Sequence, residues 1–208
     1  MPRPDFDLYL VTDRRLTGGR ELVDVVEQAL IGGVQAVQLR EKDLGGAELF
    51  HLAQALKDVC ARRRARLFIN DRIDIALAVD ADGVQLAGAS MPIGAARELL
   101  GENKLIGASI HSLHEAQQAV RDGADFVLFG PVYFTPSKAA YGAPQGIDRL
   151  KEVVEKISIP VYAIGGITAE NVEEIKKIGA RGVALIAAVM SARDPAAAAR
   201  AIVSRLKT

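Results

Sequence analysis

Short apolar runs rich in Val, Ile and Leu recur along the chain. One after another they end in polar or glycine-rich clusters: Thr12-Asp13, Gln38 to Lys42, Asn70-Asp71, Ser109 to His111 and Gly165-Gly166. Apolar runs this short, without polar alternation, suit strands buried on both faces of a parallel sheet. The expected strands are Leu8 to Thr12, Ala36 to Arg40, Leu67 to Asn70, Gly83 to Leu86, Leu105 to Ser109, Phe126 to Phe129, Val161 to Ile164 and Gly182 to Ile186. Helical patterns begin between and after them near Glu21, Gly45, Arg72, Ile93, Ser112, Asp148, Asn171 and Asp194, with apolar residues at helical spacing such as Leu22, Val25, Val26 and Ala29. Strand–helix units whose polar residues gather at one end of the strands predict an α/β fold, a (β/α)8 TIM barrel with its functional site at the C-terminal face. A doubly wound sheet would be expected to carry a glycine fingerprint after the first strand, and Thr12-Asp13-Arg14-Arg15 is not one.

With 208 residues, half of them apolar, the chain can bury a sizeable core, and residues 1–208 are expected to form a single barrel domain. Acidic and basic residues balance to a formal net charge of zero, so no field of one sign exists to attract nucleic acid or a membrane surface. The start, Met1 to Asp5, lacks an apolar signal region, and no apolar stretch approaches the ~20 residues that span a bilayer, which points to the cytoplasm. The basic run Arg62 to Arg66 falls where a helix should end, as cations that complement its C-terminus. Cys60 is the only cysteine, which excludes an intramolecular disulfide and a clustered-thiol metal site, and it reads as a small packing residue in a helix. The oligomeric state is left open, a homodimer included.

Local signals agree with this layout. Ser112 to Glu115 reads as a capping box, and Pro195 opens the last helix. Gly123-Ala124-Asp125-Phe126 and Gly179-Ala180-Arg181-Gly182, with Ala81-Asp82-Gly83 as a variant, form a weak internal repeat at the turns into strands.

The chemistry is sought at the strand ends. Alternation sends Gln38, Arg40 and Lys42 to one side, where a planar guanidinium and a point charge suit phosphate or pyrophosphate; the structural alternative is a rim salt-bridged through Glu41 and Asp43. Asn70 and Asp71 offer hard oxygen ligands for a metal–pyrophosphate substrate, or Asp71 simply caps the helix from Arg72. His111 is the only histidine at a strand end and the candidate for proton transfer, whereas His51 and His114 fall in helical patterns. The loop from Phe134 to Ile147 brings Thr135, Ser137 and Lys138, suited to closing over a phosphate. Gly165 and Gly166 open backbone N–H groups at an expected helix start, and Ile186 and Ala187 can add more, as in the usual barrel phosphate site.

Read together, Gln38-Leu39-Arg40-Glu41-Lys42, Asn70-Asp71-Arg72, Ser109-Ile110-His111-Ser112, Gly130-Pro131 with Thr135 to Lys138, and Gly165-Gly166-Ile167-Thr168 resemble the thiamin phosphate synthase family and its close relative, thiazole tautomerase. The resemblance covers nearly the whole chain, in order. In the synthase, a pyrimidine pyrophosphate ionises to a carbocation that the nitrogen of a phosphorylated thiazole captures, with magnesium assisting departure of pyrophosphate. Carried over by motif, Arg40, Lys42 and Lys138 would hold pyrophosphate, Asn70 and Asp71 would face pyrophosphate and Mg2+, and Gln38 would face the pyrimidine. Gly166 and the backbone after strand eight would hold the thiazole phosphate, and Gln85 and Ser109 join the substrate-binding set.

The chain departs from the synthase pattern after strand four. The family's histidine and second magnesium aspartate are replaced in Gln85-Leu86-Ala87-Gly88-Ala89-Ser90, and Ala187 stands in for a serine after strand eight. The resemblance therefore implies, first, a thiazole tautomerase that aromatises carboxythiazole phosphate with His111 as acid and base and no metal. The alternative is thiamin phosphate synthase, with Mg2+ and Asp71 as a metal ligand. A non-catalytic barrel binding a phosphorylated ligand is a third reading.

Overall fold

The computed structural model describes residues 3–135 and 143–207. Eight parallel strands close into one barrel in sequence order: β1 (Leu8–Val11), β2 (Ala36–Leu39), β3 (Arg66–Asn70), β4 (Gly83–Leu86), β5 (Leu105–Ile110), β6 (Phe126–Phe129), β7 (Val161–Ile164) and β8 (Gly182–Leu185), with β8 pairing back onto β1. Around them lie α1 (Leu22–Ile31), α2 (Gly46–Arg63), α3 (Ile73–Ala78), α4 (Ile93–Leu100), α5 (Leu113–Arg121), α6 (Gly146–Lys156), α7 (Val172–Lys177), α8 (Ala187–Met190) and α9 (Pro195–Lys207). The chain is a (β/α)8 TIM barrel. Among the described residues no helix is long and apolar enough to cross a membrane.

Most boundaries fall where the apolar pattern puts them, and the departures have local causes. Thr12, Arg40 and Ile186 lie just past their strands, and α6 begins two residues before Asp148. Only half of the expected capping box at α5 forms: Ser112 accepts the Glu115 N–H at 3.2 Å, but the Glu115 carboxylate reaches one residue further back, to the His111 N–H at 2.8 Å. Arg62 and Arg63 do end α2, leaning on Glu27 of α1, and Cys60 is buried with its thiol pushed up to about 12 by desolvation.

The weak internal repeat has a structural meaning. Asp82 and Asp125 each precede a strand, and each carboxylate accepts the N–H of the neighbouring strand, Leu67 at 3.0 Å and Ile106 at 2.6 Å, while their own N–H groups return to the carbonyls of the same two residues. Each aspartate thus satisfies an edge of the ladder where the chain enters the barrel. Arg181 stands at the same step before β8; its N–H donates to Val161 but its side chain cannot accept.

Alternation divides the barrel residues in two. One set faces the helices, and the other fills the interior. Inside, Tyr9, Phe68, Phe126 and Tyr162 meet the ring of Phe6, which enters just before β1 and lies 4.8 Å from Tyr162, 5.4 Å from Tyr9 and 5.6 Å from both Phe68 and Phe126. The rings fit because β5 gives up a side chain: a Cβ at Gly107 would sit 2.4 Å from the Phe126 ring. Truncation of a buried ring with so many partners leaves a void the barrel cannot close, so Phe6→Ala is expected to lower stability by about 3–5 kcal/mol. Denaturant unfolding checks this, and a loss below about 1 kcal/mol would mean that Phe6 is not part of the plug.

Candidate functional site

Above the aromatic plug, the inward positions of the four strands from β2 to β5 are polar and those of β6, β7, β8 and β1 are not. Gln38, Asn70, Gln85 and Ser109 form an arc in which Gln38 Nε2 donates to Asn70 Oδ1 at 3.0 Å and Gln85 Nε2 donates to Ser109 Oγ at 3.0 Å. The facing half presents Leu128, Ile164, Ile186 and Val11. Gln85 is 1% exposed, and its Oε1 has no hydrogen-bond partner.

The loop after β2 behaves differently from the expected salt-bridged rim. Glu41 and Asp43 do not pair with Arg40 or Lys42; both turn to Arg14 in the loop after β1, in a 3-10 turn over Arg14–Leu16. Glu41 has a side chain only 2% exposed and takes the Arg14 N–H at 3.0 and 3.2 Å. Thr12, also buried, accepts the Arg40 N–H at 2.9 Å and so fixes where that side chain departs. Gln38 and Lys42 converge on the end of β3, Gln38 through Asn70 and Lys42 through an ion pair with Asp71 at 3.7 Å. Arg40 is half-buried and has no ion-pair partner among the described residues.

Asp71 does not cap the following helix with its side chain. Arg72 is the N-cap residue, and only the Asp71 carbonyl reaches Ile73. Instead, Asp71 adopts a left-handed backbone, φ 62°, unfavourable for a residue with a Cβ, and its carboxylate takes Asn70 Nδ2 at 2.7 Å, the Ser90 hydroxyl and Lys42. Ser90 in turn accepts the Ala87 N–H at 2.7 Å, which shapes the loop after β4 around Asp71. Among the described residues no group of three His, Cys, Asp or Glu side chains could hold a metal ion. One carboxylate with nearby hydroxyl and amide groups fits Mg2+ that brings its other ligands on a substrate phosphate, and does not make a cage of its own.

His111 lies just beyond β5, exposed, with Nδ1 in contact with the Gly130 carbonyl. A carbonyl only accepts, so Nδ1 carries the hydrogen and Nε2 is left as the basic nitrogen of the neutral ring. Ser109 lies below it in the arc.

The strand-six loop is closed at its base, where the Gln145 and Gly146 N–H groups donate to the Pro131 and Val132 carbonyls at 2.7 and 3.0 Å. Ser137 and Lys138 lie outside the described residues. Thr135 is at the edge of that loop, and Phe134 is 68% exposed beside it.

The glycine pair is not at a helix start. α7 begins only at Val172, because the Asn171 side chain closes the intervening turn by accepting the Thr168 N–H at 2.9 Å and donating to the Gly166 carbonyl at 3.0 Å. Both glycines have positive φ, 100° and 66°, and a Cβ at Gly166 would sit 2.5 Å from the Phe134 carbonyl oxygen and 2.7 Å from Tyr133 Cβ. Glycine is required there by the strand-six loop. The helix start expected at the glycines is supplied instead by α8, after Ile186, which the sequence reading did not anticipate. Among the described residues the amides of Gly166, Ala187 and Ala188 have no acceptor, and Ala187 and Ala188 are exposed. These are open donors at the ends of β7 and β8, where barrels of this architecture commonly bind phosphate.

Residues 8–189 match the family described as thiamine monophosphate synthase. The chain belongs to that family. A Geobacter sulfurreducens relative, provisionally named thiamine-phosphate synthase, is 55% identical over 99% of this chain and 97% of its own length. A thiamine-phosphate synthase of Chloroflexus aurantiacus is 46% identical over 94% of this chain and 90% of that one. The solved thiamine phosphate pyrophosphorylase of Pyrococcus furiosus superposes with a TM-score of 0.89 at 40% identity, covering 97% of this chain and 96% of its own. A 3-hexulose-6-phosphate synthase, TM-score 0.71 at 21% identity, shares the fold. The relatives' names agree with the synthase, which the sequence reading held as its alternative, rather than with the tautomerase it put first.

The packing at Gly166 yields an expectation of its own. Gly166→Ala combines an unfavourable φ with a backbone collision, and is expected to lower stability by about 1–3 kcal/mol. Thermal or denaturant unfolding beside Gly88→Ala, where nothing lies within 4 Å of the added carbon, is the check; equal losses would contradict it.

Proposed function

We propose that the chain is a thiamin phosphate synthase that joins hydroxymethylpyrimidine pyrophosphate to thiazole phosphate and releases pyrophosphate. The observation that carries this reading is a mouth with two separate places for an anion. The cations Arg40 and Lys42 stand just past β2, Lys42 reaching Asp71 at the end of β3, and open amides stand at the ends of β7 and β8, with β1 between them on one side and β4 to β6 on the other. A reaction that joins a diphosphate to a monophosphate needs two such places, and isomerisation of one phosphorylated thiazole needs one. The names of the relatives support the same choice.

In this reading Arg40 and Lys42 bind the diphosphate, with Lys138 and Ser137 as further ligands. Gln38, Asn70, Gln85 and Ser109 orient the pyrimidine by hydrogen bonds, while Leu128, Ile164 and Ile186 offer the apolar wall against which two flat rings can lie. Gly165, Gly166, Ile186 and Ala187 surround the thiazole phosphate, with Thr135 as a further ligand. The bond from the pyrimidine methylene carbon to the pyrophosphate oxygen breaks, with both electrons leaving on the oxygen. The thiazole nitrogen then gives its lone pair to the methylene cation and forms the new C–N bond. Arg40 and Lys42 stabilise the negative charge that grows on the leaving group, an effect strongest where water is excluded. Asp71 would hold, as the single protein carboxylate, a magnesium ion carried on the diphosphate, and the ion would supply further charge neutralisation there.

Turnover of the two substrates to thiamin phosphate in the presence of Mg2+ is the expected outcome. Arg40→Met should reduce it, and Ser90→Asp, which adds the second carboxylate beside Asp71, should lower the Mg2+ concentration for half-maximal rate about tenfold. Absence of coupling at any Mg2+ concentration would defeat the proposal.

A second reading, the tautomerase, is favoured by two observations: Ser90 occupies the place beside Asp71 where the resemblance implies a carboxylate, and His111 Nε2 has no partner among the described residues. It predicts metal-independent aromatisation of carboxythiazole phosphate, with His111→Asn lowering kcat by about 10²–10⁴-fold while ligand binding stays nearly intact. Unchanged kcat in that variant would remove His111 as the proton carrier.

A further inference from the structure

We propose that Arg14, with Arg15 beside it, is a positioning residue that draws the acidic side chains around the strand-two loop away from Arg40, leaving that guanidinium unpaired for an incoming diphosphate. The inference rests on the diphosphate reading of Arg40 and Lys42 given above. In sequence the loop alternates charge, Arg40-Glu41-Lys42-Asp43, so an acid stands within three residues of each cation. In the fold, the acids are taken up one by one. Asp43 meets Arg14 Nη1 at 2.7 Å and Nη2 at 3.0 Å, Glu41 meets Arg14 Nη1 at 3.2 Å as well as the Arg14 N–H, and Asp13 meets Arg15 Nε and Nη2, both at 2.9 Å. Asp71, the remaining acid, is held by Asn70, Ser90 and Lys42.

Arg40 is within electrostatic reach of these groups: the Asp13 carboxyl is held below its ordinary range chiefly by Arg15, and the charge of Arg40 adds to that lowering. Arg14 likewise holds Asp43 below the usual carboxylate range. The fork geometry of two guanidinium groups on carboxylates is stronger and more directional than a contact with a flexible lysine, so the acids remain on the β1 side of the loop.

The test is calorimetric titration of the full chain with inorganic pyrophosphate, comparing Arg14→Met, Asp43→Asn, Arg14→Met/Asp43→Asn and Arg40→Met. Arg14→Met is expected to weaken binding roughly two- to fivefold, the scale of an exposed ion pair. Asp43→Asn alone should leave affinity unchanged or raise it, and the double variant should return to the wild-type value, because the released competitor is gone. Arg15→Met and its partner Asp13→Asn form a second pair, in which the arginine side chain is 71% exposed. A double variant as weak as Arg14→Met would assign Arg14 a merely structural role and overturn the proposal. So would wild-type affinity in both Arg14→Met and Arg15→Met. If Arg40→Met binds pyrophosphate as tightly as the unaltered chain, the diphosphate reading itself fails, and this inference with it.

Discussion

Closure of eight short strands into one barrel fixes the direction of every strand side chain, and the rest of the molecule follows from that. Once the interior parity is set, Tyr9, Phe68, Phe126 and Tyr162 share one enclosed volume around Phe6. One layer nearer the mouth, Gln38, Asn70, Gln85 and Ser109 of β2 to β5 lie side by side, and Val11, Leu128 and Ile164 stand two residues beyond Tyr9, Phe126 and Tyr162. The aromatic plug gives the polar arc a rigid floor. A chain that failed to fill the interior would lose stability and site together, since both layers belong to one closed barrel.

The strand ends and the barrel were legible in the sequence because parallel strands announce themselves by unbroken apolar runs, and because functional groups in this architecture collect at one end. What was not legible depends on residues that meet only across neighbouring strands. Glu41 lies 27 residues from Arg14, one βα unit away, and no local pattern distinguishes it from a partner for Arg40 or Lys42. Asp71 read equally well as a helix cap, because nothing local shows that its backbone is left-handed and its carboxylate faces Ser90. The glycine pair was expected to open a helix, and it does not. Asn171 delays the helix, and the residues that require glycine there belong to the loop after β6. α8 escaped notice because one turn of helix is too short to leave a period.

The charge pattern of the mouth is asymmetric in a way that net charge conceals. In a chain with zero formal charge, Arg40 has no ion-pair partner among the described residues, while the acids near it pair with arginines from the adjacent strand's loop. At the other end of the mouth the open groups among the described residues are the backbone amides of Gly166, Ala187 and Ala188. A diphosphate and a monophosphate differ in charge, and in the proposed reading the two places at the mouth would differ accordingly.

A crystal structure of the chain with inorganic pyrophosphate and thiazole phosphate tests this division most directly. The pyrophosphate is expected against Arg40 and Lys42 at the ends of β2 and β3, and the phosphate monoester on the amides of Gly166 and Ala187, with the thiazole ring between them against Ile164 and Ile186. Both anions on the same side of the mouth, or the thiazole phosphate bound away from β7 and β8, would contradict it.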